Sequence, residues 1–141
     1  MFADKTPLIM IIAGEASGDR LGGQVIKLLK DKLKDQVRFV GVGAEHMSKQ
    51  GVKSIFPLEE IAVMGAAEVI PKLPTIYKCY KRVIDAALTV KPDLILTIDA
   101  PDFNFRVGKR LAKEGMNVVH YTAPTVWAWR PKRAEKIAKF L

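Results

Sequence analysis

Five short apolar runs, separated by stretches with helical periodicity, constrain this chain more than any other feature. They are Leu8–Ala13 (LIMIIA), Arg38–Val42 (RFVGV), residues 52–56 (VKSIF), Leu94–Ile98 (LILTI) and residues 117–121 (NVVHY). The first and fourth are continuous rather than alternating, which marks strands buried on both faces. Between the first two, Leu21, Val25, Leu28, Leu29 and Leu33 recur at helical spacing with lysines on the other face. A short helical stretch ends near Gly51. Residues 74–90 read as a helix with Pro74 in the first turn, where proline is tolerated, and Ile76, Tyr80, Val83, Ala87 and Leu88 along one face. Residues 105–114 form another, with Gly115 as its cap. A basic helix begins near Pro131. Strands alternating with helices at this spacing imply parallel βαβ units, so the expected fold is α/β: a doubly wound, Rossmann-like parallel sheet.

A length of 141 residues suits one domain, and 49% hydrophobic with 27% charged residues allows a core without staples. Cys79 is the single cysteine, so no internal disulfide exists. Its helical surroundings suit a packing or surface residue better than a nucleophile. The net charge of +8 suits nucleic acid, anionic lipid headgroups or a phosphorylated ligand. No aromatic-basic repeat or known reader motif accompanies it, which argues against nucleic acid. Leu8–Ala13 is far shorter than the roughly 20 residues that span a bilayer, and glycine-rich, acidic sequence follows it. Membrane contact is therefore expected to be peripheral. The sequence shows no internal repeat, low-complexity tract or linker. It stops in a helix-like segment, residues 134–141, which hints at truncation or a missing partner domain.

Open parallel sheets bind ligands at the carboxyl ends of their strands, and three unusual segments fall there. The first is Gly14-Glu15-Ala16-Ser17-Gly18-Asp19. It is neither a Walker loop nor a dinucleotide fingerprint. Its glycines let a ligand approach the backbone, and Glu15 suits a sugar hydroxyl; a tight turn with Ser17 or Asp19 as helix cap fits equally. The second is Asp99-Ala100-Pro101-Asp102-Phe103-Asn104. A carboxylate at a strand mouth suits general-base work on a hydroxyl, and no His or Cys cluster completes a metal site. Asp102 or Asn104 also suits a helix cap, whereas Asp99 comes too early for that role. The third runs from Thr122 to Arg130, with Trp127 and Trp129 suited to stacking on a sugar or to covering the core, and Arg130 suited to a phosphate. His120, on the last strand, is either structural or in ligand contact. Residues 61–73 (IAVMGAAEVIPKL) carry only Glu68 and Lys72 as charges, and fit an acyl-chain groove or a buried connection.

Together these segments resemble the lipid-A-disaccharide synthases. The resemblance rests on Gly14 to Asp19 with Leu21-Gly22, on Ala62-Val63-Met64-Gly65 with Glu68-Val69, and on Ile98-Asp99-Ala100-Pro101-Asp102-Phe103-Asn104. His120-Tyr121, Pro124, the run Val126-Trp127-Ala128-Trp129-Arg130 and Arg133 complete it. Two turns depart from the family pattern, at Gly43-Ala44 and at Thr122-Ala123. The resemblance implies one half of an inverting two-domain GT-B glycosyltransferase, needing no metal or organic cofactor. Such enzymes join UDP-2,3-diacylglucosamine to 2,3-diacylglucosamine 1-phosphate (lipid X), giving a β-1,6-linked disaccharide 1-phosphate and UDP in lipid A synthesis. The step takes place at the cytoplasmic face of the inner membrane in Gram-negative bacteria, on an anionic lipid surface. By this resemblance Asp99 is the catalytic base, and Glu15, Ser17, Asp102, Asn104, His120, Trp127 and Arg130 contact substrate. Residues 1–141 would then be the acceptor-side domain, with the donor-binding carboxy-terminal domain absent. A lipid-acceptor-binding piece, inactive without that domain, shares every motif.

Overall fold

A computed structural model describes residues 6–62 and 66–121, residues 66–69 by their backbone alone. Strand β1 (Leu8–Ala13) leads into helix α1 (Ala16–Leu33), then β2 (Arg38–Val42) and a short helix α2 (Glu45–Lys49). A single 3₁₀ turn (Leu58–Glu60) precedes helix α3 (Ala66–Val90), followed by β3 (Leu94–Ile98), α4 (Pro101–Lys113) and β4 (Val118–Tyr121). The four strands form one parallel sheet in the order β2-β1-β3-β4. The expected α/β class and parallel sheet are present.

The two faces of β1 show why continuous apolarity was needed. Met10 and Ile12 join one core cluster with Cys79, Val83, Ala87, Val107 and Leu111 from α3 and α4. Ile9, Ile11 and Ala13 join the other, with Ile26 of α1 and Met47 of α2. Successive side chains of a strand point to opposite faces, so a sheet covered by helices on both sides admits no polar alternation. Ile11 and Ile12 are wholly buried, and truncating either to alanine would cost roughly 2–5 kcal/mol. Cys79 is 1% exposed and packs in the core, its thiol donating to Glu60 at 3.1 Å. Burial, then that hydrogen bond and the Glu60 charge, push the thiol up to about 12, so it is an inert packing group.

Three expected elements differ. Residues 52–56 make no strand; they touch β2 through one isolated bridge, Gly41 to Ser54. Ser54 accepts from the Gly43 amide and donates to the Phe56 carbonyl, so its hydroxyl replaces ladder bonds. Helix α3 starts at Ala66 rather than at Pro74, and holds Pro71 and Pro74 inside. Both prolines are exposed and three apart, so the two lost hydrogen bonds fall on one side of the helix. Helix α4 starts at Pro101 rather than Phe105, because Ala100 leaves the strand in a left-handed conformation and Pro101 opens the first turn. No helix among the described residues is long and apolar enough to cross a membrane.

Candidate functional site at the switch point

The chain runs from β1 to β2 on one side and reaches β3 on the other. The helices that follow β1 and β3 therefore pack on opposite faces of the sheet, the topology that places a ligand crevice at the carboxyl ends of such neighbours. Helices α1 and α4 both begin at its rim, presenting amide groups that no helical carbonyl satisfies.

Across this crevice the Ser17 hydroxyl, in the first turn of α1, donates to the Asp99 carboxylate at 2.9 Å. The two residues are 82 positions apart in the chain. The geometry beneath this contact is tight. A Cβ built on Gly14 would lie 2.0 Å from that of Ala100, so only glycine lets the two turns approach this closely. The Gly14 amide also donates to the Ile98 carbonyl at 3.3 Å. Asp99 and Ala100 have φ of 54° and 42°. Each such left-handed non-glycine residue costs roughly 1–2 kcal/mol, and strain of this kind gathers at functional sites. The turn brings the Asp99 carboxylate to the mouth of the crevice rather than along the strand direction.

The other expected site residues divide into three groups. Glu15 is exposed and occupies the N-cap position of α1 without a side-chain capping bond; Asp102 is exposed in the first turn of α4. Both stand at the rim beside Ser17 and Asp99. Asn104 and His120 are held elsewhere. Asn104 is wholly buried, and its amide nitrogen donates to the carbonyls of Asp99 at 2.8 Å, Ile98 at 3.1 Å and Ile12 at 3.4 Å. A place among the ligand-contacting residues does not anticipate that burial. His120 is partly buried on β4, with its Nδ1 2.7 Å from the Thr97 hydroxyl and its ring edge-on to Phe105 at 4.7 Å. Trp127 and Arg130 lie outside the described residues, as do the basic helix expected from Pro131 and the loop after Thr122.

Neither Ser17 nor Asp19 caps its own helix, since α1 already begins at Ala16. Asp19 instead reaches α2. Its buried carboxylate accepts from the amides of Ala44 at 2.7 Å, His46 at 2.9 Å and Met47 at 3.0 Å. An acidic cap thus arrives from a different helix, a placement with no local signature. The sequence offered a signal for Gly14, a glycine directly after an apolar strand, and for Ala100, a residue before proline that avoids the helical region. It offered none for their meeting. Two open depressions, of about 660 and 420 Å³, lie at the opposite end of the sheet, lined by residues such as Leu8, Arg38, Asp93 and Asn117. The crevice is singled out instead by topology and by the carboxylate it holds.

Comparison with known proteins covers these segments together with nearly all of the chain. The family model described as lipid-A-disaccharide synthetase matches residues 9–141. A lipid-A-disaccharide synthase of Rhodospirillum centenum is 50% identical over 139 residues, 97% of this chain and 35% of its own length. That of Glaesserella parasuis is 50% identical over 133 residues, covering 94% and 34%, and that of Rhodopseudomonas palustris is 43% identical over 140, covering 98% and 36%. The chain spans about a third of the length of these relatives. The match runs through both turns of the crevice and nearly the whole chain: it belongs to the lipid-A-disaccharide synthetase family.

Proposed function

We propose that this chain is the acceptor-side half of an inverting GT-B glycosyltransferase that makes the lipid A disaccharide. The donor is UDP-2,3-diacylglucosamine and the acceptor is 2,3-diacylglucosamine 1-phosphate. The observation that carries this reading is Asp99, set at the switch point in a strained turn and held by Ser17 from the facing helix. Its carboxylate takes the proton from the acceptor's 6-hydroxyl. That oxygen attacks the donor's anomeric carbon as the bond to UDP breaks, and UDP leaves with the electron pair. A positioned base contributes about 10²–10⁴-fold; the rest comes from alignment of the two sugars and from stabilising departing UDP. The latter belongs to a second domain, which holds the donor nucleotide. Glu15 and Asp102 stand where sugar hydroxyls would be bound, and Trp127 and Arg130 are assigned to sugar stacking and phosphate. His120, through its strand-end position, lies next in line for acceptor contact.

The test is transfer of diacylglucosamine by the full-length protein, with Asp99→Ala beside the unaltered enzyme. The variant should melt at the unaltered temperature and lose about 10²–10⁴-fold in kcat. Turnover within a few-fold of normal would remove Asp99 from the mechanism. This chain assayed alone should release no UDP.

Membrane association is the second part of the proposal. Ile70, Leu73 and Tyr77 follow at helical spacing along α3 and are 67%, 51% and 61% exposed. Lys72 and Lys78 flank them, exposed, on a chain of net charge +8. An apolar stripe beside cations suits an anionic bilayer surface, each basic residue contributing about 1 kcal/mol near it. The enzyme would then sit peripherally on the cytoplasmic face of the inner membrane, beside its acylated substrates. Vesicles with anionic lipid should bind the protein at low salt and release it as salt rises. Equal binding to neutral vesicles, or none at low salt, would count against an electrostatic contribution.

A further inference from the structure

Asn104 is a wholly buried polar side chain for which the chemistry above has no use. Its amide nitrogen has two hydrogens and meets three carbonyls, those of Ile12, Ile98 and Asp99. Ile12 belongs to β1 and Ile98 to β3, so this one amide lies between the two strands at whose carboxyl ends the crevice lies. Its carbonyl oxygen is buried and has no hydrogen-bond partner among the described residues. Leaving that acceptor unmet is costly, and a hydrophobic residue of like size would avoid the cost. What a hydrophobic residue cannot do is hold the Ile98 and Asp99 carbonyls. Those carbonyls lead directly into the left-handed pair Asp99 and Ala100, a conformation that persists only where its surroundings over-determine it.

We propose that Asn104 is the positioning residue for the base: it pins the carbonyls of Ile98 and Asp99, and so fixes the turn that delivers the Asp99 carboxylate to Ser17. It acts through Asp99 and touches no substrate. The inference rests on the reading of Asp99 as base, and its test separates the two.

The experiment measures kcat and KM for both substrates in the full-length protein carrying Asn104→Leu, with melting temperature alongside. Asn104→Leu should lower kcat by about 10–10²-fold while both KM values stay within about threefold, because a base out of place loses transition-state contact and leaves ground-state binding alone. Adding Ala100→Gly supplies the left-handed conformation without steric penalty. The double variant should recover at least threefold of the lost kcat. A purely structural role for Asn104 would predict loss of folded protein with kcat per folded molecule unchanged, and no recovery by the glycine. Either of those results overturns the proposal. So does failure of Asn104→Leu to fold both alone and with Ala100→Gly, which would make Asn104 a folding residue only. Asp99→Ala is the control. If it stays active, the base assignment has failed. If it is inactive while Asn104→Leu turns over normally, the positioning role alone has failed.

Discussion

The turns after β1 and β3 face each other across one crevice, yet they are built in opposite ways. The first uses Gly14, whose missing side chain makes room for Ala100. The second adopts the left-handed region with an aspartate and an alanine, where glycine would be comfortable. One side yields space and the other stores strain. The difference teaches where a side chain is indispensable: a glycine at position 99 would relax the backbone and remove the carboxylate. Left-handed residues also stand at Lys34, Asp35 and Lys91 in plain connections, so it is the strained carboxylate together with the facing Gly14 and Ser17 that sets the turn after β3 apart.

This contrast can be broken or sharpened by substitution. The largest effect on stability is expected from Gly14→Ala, whose new Cβ meets Ala100 at 2.0 Å. Overpacking of this kind should destabilise by about 3 kcal/mol, read as a lower denaturation midpoint at unchanged m-value. If Gly14→Ala is as stable as the parent, the two turns are not in the register described. Ser17→Ala comes next. It removes the donor to Asp99 and should lower kcat about tenfold with stability within ~1 kcal/mol, since the pair is exposed to solvent. Unchanged kcat would mean that the hydrogen bond does not orient the base. The smallest effect belongs to Ala100→Gly in an otherwise unaltered enzyme. Relief of roughly 1–2 kcal/mol of left-handed strain is offset by about 0.4–1 kcal/mol of extra unfolded-state entropy, leaving a gain of about 0.8 kcal/mol. A clear loss of stability there would show that the methyl of Ala100 packs favourably against Gly14.

The buried strands were the most legible part of the molecule. Leu8–Ala13, Arg38–Val42 and Leu94–Ile98 have the limits that their runs suggested; for the central pair, β1 and β3, this is because a strand covered on both faces is largely apolar and ends where it leaves the helices. Residues 52–56 look alike in composition, but Ser54 in their middle turns its hydroxyl to nearby backbone groups, and Val52 and Phe56 are buried without any ladder. The front of α3 was hidden for the converse reason. Residues Ile70, Pro71, Lys72, Leu73 and Pro74 are all exposed, so no buried face imposes a periodicity, and two prolines argue for a break. At the site, Asp99 was readable from its place just past an apolar run. Its partner Ser17 was not, since nothing local links residues so far apart, and the burial of Asn104 depends on an α4 that starts four residues earlier than its apolar face suggests. The same holds for Asp19, whose capping of α2 required a contact between helices that only the folded chain creates.

Asp19 lies two residues beyond Ser17 on the same helix and is moored by three amides at the far margin of the sheet. Helix α1 is thereby stopped from sliding along its axis, and the span from hydroxyl to carboxylate is set partly by the loop between β2 and α2. Remodelling residues 43–51 would therefore loosen the Ser17–Asp99 contact from a distance, by slackening the tether rather than by altering either partner.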